Sequence, residues 1–97
     1  MEGCFSDCIN LTQAPAIPAG VTNMWCCFEG CTKLKTAVLK CDYNPANNSF
    51  GVPAFTDAFK DCNSLWQYGI KVPAAQLEIY KNNASTMGVS ADRFAAE

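Results

Sequence analysis

One eight-residue pattern occurs three times in this chain, and it limits what the chain can fold into. Its central copy is Cys27-Phe28-Glu29-Gly30-Cys31-Thr32-Lys33-Leu34. An earlier copy reads Cys4-Phe5-Ser6-Asp7-Cys8-Ile9-Asn10-Leu11, and a later one Ala58-Phe59-Lys60-Asp61-Cys62-Asn63-Ser64-Leu65. The shared pattern is a small residue, Phe, any residue, Asp or Gly, Cys, two further residues and Leu. Phe5 to Phe28 spans 23 positions and Phe28 to Phe59 spans 31, the same period plus an insert of 8. Fixed apolar positions at such a period are the signature of stacked repeats. One copy cannot bury its own apolar face, so it buries it on the next.

The repeat assigns most of the core. Phe5, Phe28 and Phe59 form one expected column, Leu11, Leu34 and Leu65 a second, and Cys8, Cys31 and Cys62 a third. Each Phe is expected on a short helical turn, the first spanning residues 2 to 8. Asp7, Gly30 and Asp61 end these turns, because Asp and Gly tolerate the left-handed conformation. Met1 precedes Phe5 by the same four positions that separate Met24 from Phe28, so the repeat is expected to run on into a longer array. Pro15 and Pro18 forbid a long strand after the first copy. Val38-Leu39-Lys40-Cys41 lacks prolines and reads as a longer strand. Asp42 to Ser49 is rich in turn formers and takes the insert as a surface loop.

The chain ends differently. Ile70-Lys71-Val72 reads as a last strand, and Pro73 suits the first position of a helix. Ala74, Leu77, Tyr80 and Ala84 then make an apolar stripe on a helix over 74 to 83. Ser90 is the expected N-cap of a final short helix carrying Phe94. Residues 1–72 are thus expected as repeats, with an insert near 42–52, and 73–97 as a helical cap.

The seven cysteines with no histidine need a reading of their own. No pair has the Cys-x-x-Cys spacing of zinc or redox sites. The 4/8 and 27/31 pairs follow from the repeat, and free cysteine packs as a small apolar residue. Cys26 and Cys41 fall outside the columns and are the expected exposed thiols. Without histidine, a phosphate loop or a nucleophile elbow, the chain has no recognisable catalytic set. Neither a metal nor a cofactor is expected; Asp42, Asp57 and Asp61 lack the alternation of a calcium loop. The net charge of −2 offers no basic face for nucleic acid. No apolar run reaches the ~18 residues of a membrane span, and no leader pattern precedes Cys4.

These residues resemble the BspA-like leucine-rich-repeat family of bacterial surface proteins, treponemal branch included. The resemblance rests on the three Cys-Phe copies and on Ile17-Pro18-Ala19-Gly20-Val21-Thr22-Asn23-Met24, which is similar to the family's linker. It also rests on Ile70 to Lys81, which looks like the family's C-terminal cap. It implies an α/β repeat: a right-handed solenoid of about three coils, with short parallel strands on one side and helical turns on the other. It further implies an exported surface protein that adheres to host or bacterial proteins.

Two functions fit. One is a protein-binding module; the other is a structural cap or spacer whose binding surface lies elsewhere in a longer array. Trp25, Tyr43 and Tyr68 do not recur with the period and are the candidate contacts, whereas Trp66 is expected to pack under the C-terminal helix. A binding module would leave aromatic side chains exposed on the strand face or the 42–52 loop, and a cap would bury them. Met1, Phe5, Leu11 and Val21 are expected to form an open apolar end through which copies of the chain could pair.

Overall fold

A computed structural model describes residues 3–97. Residues 1 and 2, including the expected role of Met1 at the open end, lie outside the described residues. The three Phe-bearing segments lie one above another. The Phe5 and Phe28 rings stack at 5.2 Å between centroids and 4° between planes, and Phe28 and Phe59 at 5.3 Å and 13°. Phe28 and Phe59 are fully buried, while Phe5 is half-buried.

The segments around these rings are not the helical turns that the repeat suggested. Each is a chain of overlapping tight turns. In the central copy the amides of Cys27, Glu29 and Cys31 bond the carbonyls of Met24, Cys26 and Phe28. The alternate amides point out of the layer. Phe5 N–H donates to Cys27 O at 2.8 Å, Phe28 N–H to Ala58 O at 2.7 Å, and Phe59 N–H to Met87 O at 2.9 Å. Left-handed residues cause the difference. Gly3 and Asp7, Cys26 and Gly30, and Asp57 and Asp61 have φ between +55° and +78°. A right-handed helix cannot pass through such residues, and the alternate amides are freed for the neighbouring layer.

The thiols join layers too. Cys31 Sγ donates to Phe5 O at 2.9 Å and Cys62 Sγ to Phe28 O at 3.0 Å, so each links to the Phe of the preceding copy. Cys8, expected in the same buried column, is exposed. No Phe carbonyl of the described residues stands before it. Cys41, expected to be exposed, is fully buried, because Tyr80 of the C-terminal helix covers it and donates its hydroxyl to Cys41 O at 2.7 Å. Leu34 and Leu65 are buried, and Leu11 and Val21 pack half-buried against the core.

The opposite side is a parallel sheet of three short strands, β1 (Ala37–Val38), β2 (Ile70–Val72) and β3 (Phe94–Ala96), in that order. Ala37 pairs with Ile70, and Ile70 with Phe94. The first copy joins only through single bridges, Gln13 to Thr36 and Ile17 to Leu39. Pro15 and Pro18 have no N–H to extend that ladder. Of the strand expected over Val38 to Cys41 only Val38 is regular, paired with Ala37 in β1, and Leu39 is held by its bridge.

Three expectations for the C-terminal part are corrected. The helix is α1 (Leu77–Asn82), preceded by a 3-10 turn at Ala74–Gln76, and Ala74 is exposed rather than part of a buried stripe. Phe94 lies on β3, not on a helix; the short 3-10 turn Ala91–Arg93 leads into it. β2 is therefore the central strand, and residues 73–97 add a fourth stacked layer rather than a purely helical lid. Tyr80, Tyr43, Phe55 and Phe94 pack there with centroids 5.0–6.0 Å apart.

Phe28 is clasped between two rings, so its truncation should leave a cavity with little room to collapse. Phe28→Ala should lower unfolding free energy by about 3–5 kcal/mol, and Phe50→Ala, at an exposed position, by no more than about 0.5 kcal/mol. Urea unfolding followed by far-ultraviolet circular dichroism compares them.

Candidate contact surface

The third copy carries two more residues than the second on its way into the sheet. Leu34 reaches Ala37 in three steps, but Leu65 needs five to reach Ala37's partner, Ile70. The extra residues form a turn. Trp66 N–H donates to Lys35 O at 3.1 Å, in the column where Lys35 N–H donates to Thr12 O at 2.9 Å. The chain then swings outward and returns, with Gly69 N–H on Trp66 O at 2.9 Å.

Two features pin this turn. A side chain at Gly69 would place its Cβ 2.5 Å from Lys35 O and 2.9 Å from Trp66 O, so only glycine fits. Tyr68 occupies the third position of the turn with φ +60°. Glycine is the usual residue there, and a side chain in the left-handed region costs roughly 1–2 kcal/mol. Tyr68 is held there by its N–H on Asp92 O at 3.0 Å. The turn presents Trp66 at 58% exposure and Tyr68 at 52%. Trp66 therefore does not pack under the C-terminal helix as expected. Its ring lies 5.9 Å from Lys35 Nζ and forms one wall of an open cleft of about 420 Å³, completed by Thr12, Gln13, Lys35 and Thr36.

The other aromatic candidates separate. Tyr43 is buried against Phe55 and Tyr80 and is not a contact residue. Burial pushes its hydroxyl pKa up. Trp25 is half-buried and packs at 5.5 Å against Phe50, which is 66% exposed on the inserted loop. The Asn48 side-chain oxygen accepts the amides of Phe50 and Val52 and folds that loop back on itself. Nothing in the sequence distinguishes Phe50 from an aromatic side chain that anchors the loop to the core.

One group among the described residues gathers three metal-ligating atoms: Cys26, Glu29 and Asp57, all within 4.8 Å. It mixes a soft thiol with two hard carboxylates, a poor match for any one metal. Burial, and then the neighbouring Glu29, raise the Cys26 thiol to about 11, so it stays protonated at neutral pH and is a weak nucleophile. Burial pushes the Cys27 and Cys62 thiols to about 12, and raises Cys31 and Cys41 as well. Comparison with protein-family models, with curated proteins and with solved structures gives no match to this chain.

The thiols make stability sensitive to alkali. Their folded pKa values lie above the ordinary value of 9.0, so the unfolded chain gives up these protons first. Their contribution is whole below about pH 8 and is lost as pH rises from about 9 towards 12. The urea midpoint should therefore fall between pH 7 and pH 10, and fall less in Cys62→Ala. An equal fall in both proteins would remove the buried thiol as a cause.

Proposed function

We propose that this chain is a non-catalytic adhesion module that binds a protein partner, belonging to an exported surface protein of the BspA-like leucine-rich-repeat type. In this reading the stacked layers are coils of a short right-handed solenoid, residues 73–97 are its C-terminal cap, and the Trp66–Tyr68 turn is the contact surface. The stacked Phe column and the parallel pairing of each copy's strand segment with the next, Gln13 with Thr36 and Ala37 with Ile70, support the architecture. No helix of the described residues is long and apolar enough to cross a membrane.

One observation carries the functional reading. The chain spends two inserted residues and a strained Tyr68 on exposing two large aromatic side chains. Residues held at a backbone cost cluster at functional sites, and Trp and Tyr are enriched among the residues that dominate binding. A cap or spacer has no use for them. That second reading draws on the fourth layer, whose Met87 and Phe94 are fully buried over the third copy. A further contact, pairing of copies through the half-covered Phe5, Leu11 and Val21, is compatible with either.

Tyr68→Gly separates the two functions, because it removes the side chain and the strain together. It should raise unfolding free energy by about 1 kcal/mol and weaken retention on a panel of immobilised extracellular proteins read by surface plasmon resonance. Trp66→Ala should weaken it by about tenfold or more. A more stable Tyr68→Gly protein with undiminished binding would favour the cap.

A further inference from the structure

The cleft beside Trp66 has a chemistry that narrows its ligand, if the contact surface proposed above is used at all. Its walls are hydroxyl, amide, ammonium and indole. Apart from the indole, every side chain that lines the cleft ends in a polar group, a poor setting for a peptide's hydrophobic anchor. Nor can a peptide add as a strand at this column, because the Lys35 and Trp66 amides and the Thr12 and Lys35 carbonyls are already bonded to one another. The ligand is met by side chains alone.

Charge selects further. Lys35, Lys40, Lys71 and Arg93 lie on or beside the segments of the parallel sheet, where Asp92 and Glu97 flank β3, and Asp7, Glu29, Asp57 and Asp61 share the Phe-bearing turns with Lys60. Thr36 and Lys71 share the outer face of the sheet, since Ala37 and Ile70 between them point into the core. Among the described residues the ion pairs are Lys40 with Glu97 and Arg93 with Asp92; Lys35 is in neither. The chain is acidic overall, yet among the described residues no carboxylate pairs with the cation at its exposed tryptophan.

We propose that this cleft binds an acidic saccharide. A pyranose ring has an apolar C–H face and a hydroxylated rim. The face lies on the Trp66 indole, and the rim meets the hydroxyls of Thr12 and Thr36 and the amide of Gln13. A carboxylate on the sugar pairs with the Lys35 ammonium. The cleft volume falls within the roughly 300–1,000 Å³ range of small-molecule sites.

Isothermal titration of the intact chain with oligogalacturonate, a neutral galactose oligomer and poly-glutamate tests this. The uronate should bind about two- to fivefold more tightly than the neutral sugar, as an exposed ion pair allows. Lys35→Gln should erase that preference, so that the uronate binds no more tightly than the neutral sugar. Trp66→Ala should weaken both sugars by about tenfold or more. Circular dichroism of each variant checks that it is folded. Absence of sugar binding, equal binding of acidic and neutral sugars, poly-glutamate binding as tight as uronate, or uronate binding untouched by Trp66→Ala would each overturn the proposal. If the protein panel still binds and Tyr68→Gly still weakens it, only the saccharide assignment falls. If the uronate binds as expected and no protein does, the protein-partner reading falls instead.

Discussion

Everything in this molecule depends on which way alternate amides point in three short turns. In a helix each amide would be satisfied within its own segment. Here the left-handed residues four apart break that pattern. The amides of Phe5, Phe28 and Phe59 reach the neighbouring layer, together with those of Asp7, Cys26, Gly30 and Asp57. Leaving them unpaired inside the stack would cost about 1–3 kcal/mol each. The layers are therefore bound to keep register, and register is what stacks the rings of Phe5, Phe28 and Phe59.

That constraint decides where side chains lie far from the turns. With register kept on one side, Ala37, Ile70 and Phe94 meet across the sheet on the other. Any extra residue between a turn and its strand must leave the stack. The two extra residues before Ile70 do so at Trp66–Gly69, and the 8-residue insert does so at the loop bearing Phe50. Both carry exposed aromatic side chains, and this is the physical basis for reading the surface as a place of contact. The cysteines belong to the same economy of space. Their thiols are small enough to sit between layers and still hydrogen-bond a carbonyl, as Cys31 and Cys62 do.

The repeat was legible because its columns are chemically plain: Phe, Leu and Cys recur in step, 23 and then 31 positions apart, and Asp7, Gly30 and Asp61 announce left-handed turns. Four things were not legible. Gly3, Cys26 and Asp57 are also left-handed, but Cys gives no such signal, so the turns read as helical. Tyr80 covers Cys41 and Tyr43 across about forty residues of sequence, and no local pattern records that contact. Trp66 read as a residue packing under the C-terminal helix; its exposure follows from counting steps between paired strands, which requires knowing that Ala37 pairs with Ile70. β3 was hidden because Phe94-Ala95-Ala96 is short and alanine favours helices.

Amide hydrogen exchange measured residue by residue tests the interlayer ladder most directly. The amides of Phe28 and Gly30 have layers on both sides. They should exchange only through global opening, with protection close to the unfolding free energy. Those of Phe5 and Asp7, in the outermost described layer, should be less protected. If Phe28 and Gly30 instead exchange as fast as the exposed loop around 47–51, the layers are not held by these bonds and the account fails.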